Sequence, residues 1–192
     1  MIAAKEYKLH SGGAIGADIT WEIIGRRFGL IEFNHYFIEG YKTTKGNASI
    51  KMSDKLEKVI DTDLIKANKT LKRSYPTRNP YVNNLLRRNW FQVNKSDSVF
   101  AISRIENGLV SGGTGWAVQM AIDKGVNVFA FCQLNKRWHM YSSGVWIITE
   151  TPTLTMNFAG IGTREIDESG TQAIEDVYKK TFESSQNKKA EE

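Results

Sequence analysis

Residues 8–18, Lys-Leu-His-Ser-Gly-Gly-Ala-Ile-Gly-Ala-Asp, constrain the chain most. They read as a short strand running directly into a glycine-rich turn and then a helix. Gly12, Gly13 and Gly16 fall within five positions. Without Cβ atoms they let the backbone turn sharply and come close to a ligand. The helix expected over 16–28 points its unpaired N–H groups and positive dipole end at that turn. Such a corner suits phosphate or carboxylate with little help from side chains. A second corner, Ser111-Gly112-Gly113-Thr114-Gly115-Trp116, has the same strand–turn–helix setting, and a third follows at residues 160–165. Two such corners in a small α/β chain point to a nucleotide-like ligand.

Length and composition suit one domain spanning 1–182, with a polar tail at 183–192. No apolar run approaches the roughly 18 residues of a membrane span, and the N-terminal segment lacks a signal-peptide core. The expected location is therefore cytoplasmic, with no membrane partner. One cysteine, Cys132, excludes an internal disulfide framework and cysteine-based metal binding. Its apolar neighbours Val128, Phe129, Ala130 and Phe131 mark a buried strand thiol.

The net charge of +5 is unevenly placed. Lys66, Lys69, Lys72, Arg73, Arg78, Arg87 and Arg88 crowd one segment with Tyr75, Tyr81, Trp90 and Phe91. That mixture fits nucleic acid, a phosphorylated small molecule, or a solvated helix face over a core.

Strands are expected over 6–10, 31–37, 97–103, 127–132 and 154–159, with a hairpin, or a strand preceded by a turn, over 138–149. Helices are expected over 16–28, 53–72, 81–93, a segment ending at Gly125, and 168–182. The first should bury Ala17, Trp21, Ile23, Ile24 and Phe28. Residues 38–95 read as a loop and helical insertion. Alternating strands and helices predict an α/β, Rossmann-like, mostly parallel sheet with helices on both faces. Ligands of such sheets sit beyond the strands' carboxyl ends, where all three corners should meet.

Ser11-Gly12-Gly13-Ala14, Gly16-Ala17-Asp18 and Gly112-Gly113-Thr114-Gly115 together resemble the SLOG superfamily of Rossmann-like nucleotide-binding domains. That group includes Lonely-guy-type phosphoribohydrolases, DNA-processing Smf proteins and small bacterial and phage proteins. Gly160-Ile161-Gly162-Thr163-Arg164-Glu165 is similar to the turn that usually opens these domains, yet here it comes last. A circular permutation explains that order and places the 154–159 strand centrally, beside 6–10. The resemblance also implies a lost catalytic group. The glutamate of the phosphoribohydrolase motif falls at Gln119, and Trp116 replaces its threonine. Glutamine cannot accept a proton at neutral pH.

The expected ligand-binding set is Ser11, Gly12, Gly13, Ala14, Gly16, Asp18, Gly112, Gly113, Thr114, Gly115, Trp116, Gly162, Thr163 and Arg164, with no catalytic residue, metal or cofactor assigned. Asp18 is either a helix-start carboxylate or an acceptor for ribose hydroxyls. Arg164 is either a phosphate clamp or a surface ion-pair partner. Trp21, Trp90 and Trp116 are either core or purine platforms. His10 serves the strand end or reaches the ligand. Three functions follow. The first is sequestration of a nucleotide-derived signal of the ADP-ribose, cyclic ADP-ribose or cyclic-nucleotide type, as a phage sponge against nucleotide-signalling defence would do. The second is N-glycosidic hydrolysis of a nucleoside phosphate or NAD. The third is Smf-like binding of single-stranded DNA. Homo-oligomerisation is expected, with segment 75–91 completing a neighbour's pocket.

Overall fold

A computed structural model describes residues 4–40 and 46–183. The chain forms β1 (Lys8–Ser11), α1 (Ala17–Arg27), β2 (Glu32–Ile38), β3 (Ala48–Ile50), α2 (Asp54–Leu71) and α3 (Pro80–Asn94). It continues through β4 (Ser98–Ser103), the small ribbon β5 (Ile105–Glu106) and β6 (Leu109–Val110), and α4 (Thr114–Lys124). Then come β7 (Asn127–Cys132), β8 (Arg137–Ser142), β9 (Val145–Thr149), β10 (Asn157–Gly162) and α5 (Glu168–Phe182).

Eight strands make one sheet in the order β3-β2-β1-β10-β4-β7-β8-β9. The pairs from β3 to β7 are parallel, and the β8–β9 hairpin extends the sheet antiparallel. The architecture is the expected Rossmann-like α/β one. β10 lies between β1 and β4, with Phe158 facing Leu9 on one side and Ser98 on the other. That is the central position the displaced motif order predicts. Counted from β10, the run β2-β1-β10-β4-β7 reads 3-2-1-4-5, the doubly wound order.

Side chains alternate across the sheet, so each strand feeds two cores. Leu9, Phe100, Ile102 and Phe158 face α1 and α5, where they meet Trp21, Ile24, Ile174, Val177 and Tyr178. The Tyr178 hydroxyl donates to the Trp21 carbonyl at 2.9 Å, so this ring is buried with its polar tip satisfied. Val99, Ala101, Ala130, Ala159 and Ile161 face the opposite way, towards Val93 of α3 and Ala117 and Ala121 of α4. Beyond them, Ile60 and Leu64 of α2 pack with Trp90, Trp116 and Met120. Each fully buried side chain of this size contributes about 1.5–3 kcal/mol.

α2 and α3 are the crossover that carries the chain from β2 and β3 to β4; α3 lies with α4 on one face of the sheet, and α2 packs outside them. Ile60, Leu64, Leu71, Leu86 and Trp90 of this segment are buried core residues. Ser53 caps α2 by accepting the Leu56 N–H at 3.3 Å, and Asp167 caps α5 by accepting the Gly170 N–H at 2.8 Å.

Four local expectations need correction. Ile23 is 56% exposed, because the buried stripe of α1 is centred on Trp21 and Ile24. The polar stretch 39–52 contains β3, and 104–110 forms the β5–β6 ribbon. The last strand begins at Asn157 and includes Gly160 and Gly162, so the third glycine segment is strand before it is turn. A Cβ on Gly160 would lie 2.6 Å from Trp21 Cγ, and one on Gly162 would overlap the Ile102 carbonyl oxygen. Close packing explains these two glycines. Of the tail, residues 184–192 lie outside the described residues.

Candidate functional site

A cleft of about 480 Å³ opens beyond the carboxyl ends of β1, β10 and β4. Its walls come from the three corners and from α3. Of the residues expected at a ligand, Ala14, Asp18, Gly112, Gly113, Thr114, Gly162, Thr163 and Arg164 line it. Ser11, Gly12, Gly13, Gly16, Gly115 and Trp116 are not among its lining residues.

The first corner is occupied by the chain itself. Asp18 Oδ2 accepts the N–H of Gly12 at 3.1 Å and that of Ala14 at 3.4 Å. Asp18 Oδ1 accepts the N–H of Gly162 at 3.1 Å. The Ser11 hydroxyl accepts the Gly13 N–H at 3.4 Å, and the Ala17 N–H donates to the Thr163 carbonyl at 3.0 Å. The turn thus cradles an anion, but that anion is its own carboxylate, and both Asp18 oxygens are engaged. Burial pushes the Asp18 carboxyl above its ordinary range, opposed by Arg88 and by the three N–H donors. Gly16, at φ 105°, is required by its neighbours: a Cβ there would lie 2.5 Å from Arg164 Cα and from the Thr163 carbonyl oxygen.

The second corner is open. Among the described residues, no hydrogen bond uses the N–H of Gly112, Gly113 or Thr114. Side-chain capping of α4 is also absent. A Cβ on Gly112 or Gly113 would meet nothing within 4 Å. The far side of this loop is gripped by Arg73, which donates from Nη1 to the Gly112 carbonyl at 2.6 Å and from Nη2 to the Val110 carbonyl at 3.0 Å. In a trans peptide the C=O and the following N–H point in opposite directions. Turning the Gly112 carbonyl towards Arg73 therefore turns the Gly113 N–H away from it. Gly115 is structural, since its Cβ would overlap the Val110 carbonyl oxygen.

Arg88, which reads in the sequence as one basic residue among seven, lies at the cleft and is only 7% exposed. Its Nη1 donates to the Gly12 carbonyl at 3.1 Å, while its buried Nε has no partner among the described residues. Burial lowers its pKa, Asp18 opposes that shift and the Arg164 charge adds to it. Arg164 follows β10 on the opposite wall. Hydroxyls of Ser103 and Ser111 stand 3.3 Å apart on the floor, and α3 adds Tyr81, Asn89 and Gln92. Sequence reasoning missed this helix wall. The signal available was the placement of its arginines among polar amides at the end of a strand–helix crossover.

The other candidates fall elsewhere. Trp21 is in the α1–α5 core, Trp90 donates to Asp63 at 2.7 Å, and Trp116 packs on Tyr75 at 5.8 Å between ring centres. The cleft's aromatic residue is instead Tyr81, 44% exposed. His10 bonds the Tyr36 hydroxyl at 2.9 Å, a strand-end role. Gln119 donates to Asp123 at 2.9 Å within α4 and does not line the cleft. Within the basic segment, Arg87 forks onto Asp61 at 2.8 Å and also bonds Glu57 at 2.7 Å, Arg73 holds the glycine loop and Lys66 bonds the Asp123 carbonyl at 3.0 Å. Much of that charge is spoken for within the chain. Segment 75–91 contributes to its own chain's cleft. Among the described residues, no group of three or more His, Cys, Asp and Glu is arranged to hold a metal ion, and no helix is long and apolar enough to cross a membrane.

Comparisons with protein-family models, with characterised proteins and with solved structures find no match to this chain.

Proposed function

We propose that the cleft binds and sequesters a phosphorylated, nucleotide-derived small molecule without cleaving it. The observation that carries this reading is the open second corner. Among the described residues, three backbone N–H groups without an acceptor stand at the N-terminus of α4, and the buried Arg88 and the exposed Arg164 share the same cleft. A phosphate placed there receives N–H donors, the helix dipole and a guanidinium fork together. Tyr81, Asn89 and Gln92 offer a ring face and amide groups to the remainder of the ligand. ADP-ribose, cyclic ADP-ribose and cyclic nucleotides are the ligand types of choice, in keeping with the SLOG resemblance and a sponge-like role.

Retention rather than turnover is supported by the state of the acids. Glycosidic cleavage calls for a carboxylate free to take or give a proton, or to stabilise positive charge. Both Asp18 oxygens already accept backbone N–H groups, and Gln119 does not line the cleft. Glu165 is the remaining acid on the wall.

Calorimetry against a panel of phosphorylated nucleotides tests the proposal, followed by heat denaturation and chromatography of the released ligand. Micromolar or tighter binding with intact ligand recovered is expected. Free base in the eluate, abolished by Glu165→Gln, would transfer the assignment to a hydrolase. No binding by any member of the panel would remove the proposal.

A further inference from the structure

One edge of the sheet is β9, whose sequence Val145-Trp146-Ile147-Ile148-Thr149 contains no charge, proline or glycine. An edge of that composition is an open template for another strand. Val145 is 57%, Ile147 47% and Ile148 61% exposed, so apolar side chains emerge on both faces of the strand. The opposite edge, β3, is only three residues long and runs into Lys51. The two edges are therefore unequal, and only β9 has the length and chemistry to pair.

The hairpin fixes which backbone groups are free. Ser142 faces Val145 across a two-residue turn, Ser143 and Gly144, with φ of 50° and 88°. Two positive φ values are the signature of a type I′ turn, which makes Ser142–Val145 a hydrogen-bonded pair. Alternation along the ladder then assigns Ile147 and Thr149 inward, towards Met140 and Trp138. Trp146 and Ile148 accordingly turn their N–H and C=O groups outward, away from β8.

We infer that β9 pairs antiparallel with β9 of a second copy of this chain, about a two-fold axis passing through the Ile147–Ile147 pair. In that register Trp146 faces Ile148 of the second copy, and Ile148 faces Trp146. Each is a hydrogen-bonded pair exchanging two N–H···O bonds, so every outward backbone group of the two residues is used. Ile147 meets its own copy, and Val145 meets Thr149. Aromatic and β-branched residues thus face each other throughout, which is the favourable cross-strand combination. Glu150, 94% exposed at its side chain, comes opposite Gly144, so no like charges confront each other. A strand that is complementary to itself in both backbone and side chains selects a copy of itself as partner. The inference is independent of what the cleft binds, since β9 contributes nothing to the lining.

Sedimentation velocity over a concentration series should show the 21.7 kDa chain moving as a dimer that dissociates on dilution. Ile148→Pro removes one outward N–H without touching a β8–β9 bond, as proline is tolerated on the solvent side of an edge strand. It should weaken the dimer at least about tenfold while the far-ultraviolet circular dichroism stays unchanged. Ile147→Cys should form a covalent dimer on mild oxidation, because its two copies face each other. Val145→Cys should not, because its copies lie about 13 Å apart along the strands, beyond disulfide reach. Native Cys132 is buried and does not compete. A monomer at every concentration overturns the inference. So does a dimer that is indifferent to Ile148→Pro or that cross-links equally at both cysteines.

Discussion

Asp18 Oδ1 and the N–H of Gly162 meet at 3.1 Å across 144 positions of chain. With its second oxygen on Gly12 and Ala14, the same carboxylate ties the end of β1 to the end of β10. The glycine corner that looks most like a phosphate site is thereby closed from within, which leaves its counterpart at α4 as the open one.

Asp18→Asn should destabilise the protein by about 2 kcal/mol, since an amide NH2 cannot accept from the two N–H groups at Oδ2. The pH dependence has a definite sign. Burial raises the folded pKa above the ordinary 3.8, so the folded state holds this proton more firmly than the unfolded state. The contribution is complete below 3.8 and is lost as pH rises through the folded value. Urea denaturation in acid and at neutral pH should show the gap between wild type and Asp18→Asn narrowing as pH rises. A widening gap would contradict the assigned direction.

At the cleft, Arg88→Lys keeps a charge near Asp18 but loses the planar fork. Affinity for the phosphorylated ligand should fall about ten- to a hundredfold, the equivalent of one charge-assisted bond of about 1.5–3 kcal/mol. Calorimetry reads this directly. An unchanged dissociation constant would place the phosphate away from Arg88.

The two corner glycines Gly113 and Gly115 should separate cleanly. Gly115→Ala forces a Cβ into the Val110 carbonyl and should cost about 2 kcal/mol or more. Gly113 has φ −63° and ψ −33° with open space around it, so Gly113→Ala should change stability by less than about 1 kcal/mol. Thermal melts of the pair check both values.

Between α2 and α3, Asp61 receives Arg87 through Nε and Nη2, each at 2.8 Å, and the Tyr75 hydroxyl at 2.5 Å. Burial pushes the Asp61 carboxyl up, but Arg87 and Tyr75 outweigh it and hold it below its ordinary 3.8. This stabilisation is present above 3.8 and is lost as pH falls through the folded value. Asp61→Asn should therefore cost about 1–3 kcal/mol at neutral pH and progressively less in acid. Equal losses at both pH values would sink the pairing argument.

Burial also holds the His10 imidazole below 6.5; Asn157 and Asp97 act against that shift, and Lys95 and Lys8 with it. Its contribution is present above 6.5 and is lost as pH falls through the lower folded value. Nuclear magnetic resonance titration should give a midpoint below 6.5, and His10→Gln should flatten the acid limb of the stability profile.

Periodicity and caps carry most of the fold. The span of α5 follows from Asp167 and the apolar positions Ala173, Ile174 and Val177, and the structure gives the expected 168–182. β10 was displaced because glycine serves two needs that look identical in one sequence. Gly160 and Gly162 answer the bulk of Trp21 and the nearness of Ile102, facts that belong to distant segments. At the site, the glycines of the second corner are legible, while Arg88 is not. Nothing local distinguishes it from Arg87 one position earlier. The turn of α3 sends one guanidinium to Asp61 and the other into the cleft. Asp18 was visible at the helix start, yet its function depends on the chain folding back over its own glycines.

The central position of β10 carries a consequence for synthesis. β1 and β4 have no direct pairing with each other, and the strand that joins them is made after both. Until residue 162 has been made, the sheet lacks the strand that joins its two halves, and a slot is left between them. Such a slot is also an address. A separate peptide bearing β10 and α5 has a defined place to dock, so the chain is a natural candidate for division into two fragments that restore the sheet, and the cleft with it, only when they meet.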